Sequence, residues 1–155
     1  ATDRARVDCR VISLIEKGPI GAQLEALGIP VTALGLRRGL PRPAYLWRIR
    51  RAIAAADCDV LQTWMFHADL LGSLAVTGLR RAPAVVWNIR HSNLAEGVNK
   101  RSTFWTVRLC AAMSSRWPAK ILANSEAGLR HHIDLGYAAE RCRMIPNGFD
   151  LAVYR

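Results

Sequence analysis

No apolar run in this chain approaches the roughly 18 uncharged residues that span a bilayer. Its first residues, Ala1-Thr2-Asp3-Arg4-Ala5-Arg6, lack the apolar stretch of an export signal. Paired cysteines are missing too: Cys9, Cys58, Cys110 and Cys142 stand far apart, none forms C-x-x-C, and each neighbours apolar residues. That spacing disfavours a zinc site and a dense disulfide scaffold, so reduced thiols and a cytoplasmic setting are expected. Nucleotide and hydrolase signatures are absent as well. No G-x-G-x-x-G follows a strand, and there is no G-x-x-x-x-G-K-[ST], no G-x-S-x-G elbow and no H-E-x-x-H, which removes support for dinucleotide oxidoreductases, P-loop ATPases, α/β-hydrolases and zincins. Acidic residues are scarce, 12 against 22 Lys+Arg for a net charge of +10, and only Lys17, Lys100 and Lys120 are lysines. So arginine-rich a chain suits polyanionic partners or an anionic surface.

What is present is a rhythm. Half of the 155 residues, 51%, are apolar, enough for one globular core. Val7 to Ile15 is a β-branched run stopped by Gly18-Pro19, and Ile20, Leu24 and Leu27 then recur at helical spacing before Gly28. Pro30 to Leu34 predicts a second strand. Leu46, Ile49, Ile53 and Ala56 mark one face of a helix over about 44 to 56. Strands at 59–64, 84–89, 120–124 and 143–145 alternate with helices at 67–79, 101–116 and 125–135. Short strands separated by helices of ten or more residues indicate βαβ crossovers. The expected fold is α/β, a Rossmann-like doubly wound parallel sheet with helices on both faces.

Such sheets bind ligands beyond the carboxyl ends of their strands, where loops converge and helix N-termini offer free N–H groups. Four strand ends here carry polar clusters: Trp64-Met65-Phe66-His67, Arg90-His91-Ser92-Asn93, Asn124-Ser125-Glu126 and Pro146-Asn147-Gly148-Phe149-Asp150. The opposite joints, such as Gly28-Ile29-Pro30 and Arg81-Ala82-Pro83, are plainer. His67 suits either a helix cap or contact with a sugar hydroxyl. A cation, an imidazole and a hydroxyl in succession at Arg90-His91-Ser92 suit an anionic or hydroxyl-rich ligand. Asn124 or Ser125 is a good N-cap for the helix that follows, Asn147-Gly148 is foremost a turn, and His131-His132 reads as a packed or solvated pair.

Taken in order, Asp59 to Gly72, Val86 to Asn93, Asn99 to Thr103, Ala123 to Ala127 and Ile145 to Asp150 resemble the N-terminal half of group 1, or family 4, glycosyltransferases. The resemblance implies a metal-independent enzyme of the GT-B fold that moves a sugar from a nucleotide-sugar, its co-substrate, to a hydroxyl acceptor with retention of configuration. It needs no other cofactor, and the acceptor would be a sugar or lipid-linked precursor. It places His91 near the transferred sugar as the catalytic candidate, flanked by Arg90 and Ser92. His67 and Asp69 fall on the acceptor side, Asn124, Ser125 and Glu126 in the next cleft loop, and Asn147 and Gly148 beside the donor. Residues 1–150 would form the acceptor-side domain without its first strand-loop-helix unit, and 151–155 the start of a linker to a donor domain. Such a fragment is expected to be inactive alone and able to dimerise through its exposed interdomain face.

Arg37, Arg38, Arg42, Arg48, Arg50 and Arg51 surround the helix that carries Trp47. They form either a solvated basic face or a surface attracted to anionic lipid headgroups. Nucleic acid is not expected as a partner, because the arginines lack interleaved stacking aromatics and no binding module is present. A non-catalytic carbohydrate-binding or assembly domain stays open as the alternative.

Overall fold

The computed structural model describes residues 3–37, 42–90 and 101–148. His91, Ser92, Arg38 and the residues after Gly148 lie outside them. Two compact units make up the chain: residues 1–58 with 74–81, and residues 59–73 with 82–155.

In the first unit, β1 (Val11–Ser13) pairs in parallel with β2 (Val31–Ala33), with Val11 opposite Val31 and Ser13 opposite Ala33. α1 (Gly18–Ala26) connects them, with Pro19 in its first turn. Proline fits there because the first N–H groups of a helix have no partner anyway. Arg4 closes the other end by donating to the carbonyls of Leu27 and Gly28 at 2.7 and 2.8 Å. β1 is shorter than its β-branched run because only three of those residues find a partner on β2. The apolar spacing of α1 is not a buried face: Ile20 and Leu27 are exposed, and the helix buries only Gly21. α2 (Pro43–Ala56) behaves as its periodicity predicts, with Ile49 and Ile53 buried.

In the second unit, β3 (Val60–Trp64), β4 (Ala84–Ile89), β5 (Lys120–Ala123) and β6 (Cys142–Met144) form an all-parallel sheet in sequential order. Three crossovers build it: α3 (Phe66–Val76), α4 (Arg101–Met113) and α5 (Glu126–Asp134). Along the central strand β4 both alternations are inside. Val85, Trp87, Ile89 and Asn88 are buried and Val86 is half-buried, as a parallel strand covered on both faces requires.

Trp87 is the hub. Its indole N–H donates to Ser73 Oγ of α3 at 2.9 Å, and Tyr137 meets it edge-on at 6.3 Å. His132 of α5 stacks on Phe66 of α3 at 5.6 Å and is itself buried, with Nδ1 2.8 Å from the Gly128 carbonyl. The His131-His132 pair is therefore packed. Cys110 of α4 reaches the Phe66 carbonyl at 3.6 Å. All four cysteines are free thiols, Cys110 and Cys142 buried and Cys9 and Cys58 half-buried. Among the described residues no helix is long and apolar enough to cross a membrane.

Candidate functional site at the carboxyl rim of the second sheet

Parallel register keeps the four strand ends level, since Trp64 lies opposite Asn88, Ile89 opposite Ala123, and Ala123 opposite Met144. The ladder runs on past the strands, Met65 N–H donating to the Asn88 carbonyl at 3.4 Å and Ile145 N–H to that of Ala123 at 2.9 Å. The first polar residues after each strand therefore emerge side by side.

At the first end the chain turns sharply from β3 into α3 through Met65, which holds φ at 74°. A left-handed conformation in a residue with a side chain costs on the order of 1–3 kcal/mol. The turn sets the Trp64 and Met65 side chains outward, and Trp64 is 52% exposed. His67, in the first turn of α3, is also exposed. Asp69 lies differently. Expected to line the acceptor side, it is instead fully buried, because its place one turn into α3 points it back at the sheet. Thr63 Oγ1 donates to its Oδ1 at 2.5 Å, while Oδ2 has no partner among the described residues. Burial pushes its carboxyl up to about 7 from the ordinary 3.8, against the opposing pull of the Thr63 bond. Burial, with the neighbouring Asp69 adding to it, also pushes the Cys110 thiol up to about 12.

At the second end, even-numbered residues of β4 share the face of Trp64. Arg90 lies with its guanidinium over the Trp64 ring, 4.5 Å from the centroid. Its Nε donates to Asn88 Oδ1 at 3.1 Å, and its Nη1 donates to Asn147 Oδ1. Because β4 and β6 flank β5, this second bond crosses the carboxyl end of β5 and joins two expected site positions, Arg90 and Asn147, along one edge. Gly148 follows, exposed.

At the third end, Asn124 is half-buried and Ser125 caps α5, its Oγ accepting from Gly128 N–H at 3.1 Å. Glu126 pairs with Arg130 one turn on at 3.1 Å. The capping reading of Ser125 is the one the geometry realises.

Two rim residues carry weight without having been assigned a role from the sequence: Trp64, the platform under Arg90, and Asn88, which anchors it. Their signal was alternation, since positions 88 and 90 must share a face.

In the first unit, Trp47 is 59% exposed and Arg51 lies over its ring at 5.5 Å. Arg48 and Arg51, with Leu34, Ala52 and Ala55, line a shallow recess beside it. Arg37 and Arg42 are exposed. Arg50 is set apart from Arg48 and Arg51. It points away, donating to the carbonyls of Ala75, Thr77 and Gly78 at 3.2, 2.5 and 2.9 Å, so its guanidinium ties down a helix end.

The sequence model of Glycosyltransferase Family 4 matches residues 1–153. Among solved structures, HepE of Anabaena in complex with UDP and glucose is similar at 21% identity and a TM-score of 0.73, covering 94% of this chain and 38% of HepE. HepE in complex with UDP-glucose gives 21% identity and a TM-score of 0.72, over 94% of this chain and 37% of that one. The fold is thus Rossmann-like α/β with parallel sheets and helices on both sides, matching that of a GT-B glycosyltransferase. The chain spans less than two fifths of the length of these two structures. No curated protein sequence matches it.

Proposed function

The chain belongs to glycosyltransferase family 4, and from that premise we propose that it is the acceptor-side portion of a GT-B enzyme. That enzyme transfers a sugar from a nucleotide-sugar to a hydroxyl acceptor, with retention of configuration and without a metal. The observation that carries the reading is the joined rim, where Arg90 is fastened to Asn88 and Asn147 across the end of β5. Separate sheet positions thereby become one polar edge where ligands of open parallel sheets bind.

The chemistry divides by charge. A nucleoside diphosphate leaves with developing negative charge that cations and N–H dipoles must meet, and the sugar passes through an oxocarbenium-like state that needs electron-rich oxygens nearby. In this reading a second domain supplies most of the former, and this chain orients the acceptor hydroxyl. His91 hydrogen-bonds the transferred sugar or assists proton transfer, with Ser92 beside it. His67 and Asn124 contact hydroxyls, and Asn147 and Gly148 border the donor. Asp69 acts from beneath, through Thr63, and Ser125 by setting α5. HepE's complexes with UDP-glucose and with UDP and glucose support a nucleotide-sugar as the co-substrate class. The exposed Trp47 among Arg48 and Arg51 supports docking on an anionic membrane, where a lipid-linked acceptor would be met.

The test uses the longer protein that contains this chain. It should turn over a nucleotide-sugar, and NMR of the product should show the anomeric configuration of the donor. The 155-residue chain alone should be inactive, and His91→Ala should lower kcat on the order of a hundredfold. Full activity in His91→Ala would remove the assigned role, and turnover by the isolated chain would remove the division of labour.

A further inference from the structure

Most described arginines whose contacts are resolved are neutralised or spent on carbonyls. Arg10, Arg81 and Arg130 pair with carboxylates, and Arg4, Arg50 and Arg141 bind backbone carbonyls. Arg90 differs from all of these. Three neutral groups immobilise it, the Trp64 ring and the side-chain oxygens of Asn88 and Asn147, and among the described residues no carboxylate comes within ion-pair distance. Among the described residues the rim's carboxylates are occupied: Glu126 is engaged by Arg130, and Asp69 is buried under Thr63. An arginine ordinarily keeps its rotamer freedom in solvent, so fixing one without cancelling its charge leaves a preorganised cation.

A guanidinium carries five N–H donors, and two of them are used here. The remaining ones lie on the Nη1 and Nη2 side, an exposed edge that matches the spacing of two oxygens on one phosphorus. We infer that Arg90, held on Trp64 by Asn88 and Asn147, is a receptor for a phosphate oxyanion of a substrate. The inference rests on the glycosyltransferase reading for the source of that phosphate, which is either the diphosphate of the donor or a phosphate of a lipid-linked acceptor. Trp64 and Asn88 are then positioning residues. They keep the fork flat and aimed before the ligand arrives, so that little ordering remains to be done on binding.

Inorganic pyrophosphate is the probe, titrated calorimetrically into the longer protein that contains this chain. Arg90→Gln should weaken its binding about ten- to hundredfold, the scale of a hydrogen bond to a charged group. Arg90→Lys should recover part of the loss, because it keeps the charge and loses the fork. Asn147→Asp keeps the arginine but sets a carboxylate beside it, and should weaken binding as much as Arg90→Gln does. Since both substituted positions, Arg90 and Asn147, are exposed, circular dichroism should be unchanged. Repeating the titration with UDP at saturation separates the sources. Pyrophosphate displaced by UDP identifies the donor diphosphate, and pyrophosphate that binds alongside UDP identifies the acceptor phosphate. Equal affinity in the wild type and Arg90→Gln, or no binding by the wild type, overturns the inference. Turnover of nucleotide-sugar by the same wild-type preparation reports separately on the enzymatic reading. Arg90-dependent pyrophosphate binding without turnover would leave the anion site standing and remove that reading alone.

Discussion

The Thr63 hydroxyl meets the Asp69 carboxyl at 2.5 Å beneath the exposed Trp64–Met65 turn, tying the last residues of β3 to the first turn of α3. Thr63 Oγ1 also lies 3.4 Å from the Val86 carbonyl. A hydroxyl has one hydrogen. Facing a carboxylate, it must spend that hydrogen on Asp69; facing a carboxylic acid, it can accept from Asp69 and donate to Val86. Burial favours the neutral acid and raises the carboxyl to about 7, while the bond that Thr63 donates to the anion pulls the other way.

The sign of the pH effect follows. The folded state holds the proton up to about pH 7, whereas the unfolded chain loses it near 3.8. Between those values the native state binds more protons, so stability falls as pH rises and levels off above about 7. A shift of that size is worth roughly 4 kcal/mol. Asp69→Asn keeps the shape and removes the charge. Urea unfolding followed from pH 4 to 8 should show a flatter stability profile than the wild type, with the variant the more stable of the two at pH 8. An unchanged slope would show that Asp69 is not the group responsible.

At Gly72, α3 lies close against the sheet. A Cβ built there would stand 2.9 Å from Thr63 Cγ2 and 3.4 Å from Leu61 Cδ2. Alanine would add up to about 1 kcal/mol of helix propensity, but overpacking costs about 1–3 kcal/mol. Thr63 cannot swing aside without breaking its bond to Asp69. Gly72→Ala should therefore lower unfolding free energy by about 1–2 kcal/mol. Adding Thr63→Ser, which deletes the offending methyl and keeps the hydroxyl, should restore much of it. Independent, additive losses in the double variant would contradict the steric explanation.

The strands and the polar residues at their carboxyl ends were legible in the sequence because both rest on local pattern. Apolar runs of β4 and β5 and the polar residues that end them are contiguous, and parallel pairing then levels the ends. What was not legible depends on partners distant in sequence. The spacing of Ile20, Leu24 and Leu27 is that of a buried face, yet Ile20 and Leu27 are each 66% exposed. Asp69 looks like a rim residue by position and is buried by the direction of the helix. Arg50 looks like Arg48 and Arg51, and only the carbonyls of residues 75–78 distinguish it.

Ser125 illustrates how a family position can serve structure. Its φ of −146° and its bond from Gly128 N–H make it the N-cap of α5, the helix that brings His132 against Phe66. Ser125→Ala should cost about 1 kcal/mol of stability, and Ser125→Asp should recover it, since aspartate caps as well and favours the positive helix end. Denaturant midpoints read this directly. An alanine variant as stable as the wild type would leave the capping bond without energetic content.

The two classes of arginine on α2 make opposite predictions. Arg48 and Arg51 stand beside the exposed Trp47, and each basic residue near an anionic membrane contributes about 1 kcal/mol. Arg48→Ala with Arg51→Ala should thus reduce binding to phosphatidylserine-containing vesicles about thirtyfold at low salt, and the difference should vanish in high salt, where screening shortens to about 3 Å. Arg50 donates three hydrogen bonds to carbonyls that end a helix, so Arg50→Ala should change vesicle affinity less than either neighbour and instead cost about 1–3 kcal/mol of folding stability. Vesicle sedimentation paired with urea unfolding resolves the two effects on the single and double variants of these three arginines. If Arg50→Ala weakened vesicle binding most and left unfolding untouched, the carbonyl clamp would be wrong. If none of the variants altered vesicle binding, the basic face would be a solvated surface with no membrane role.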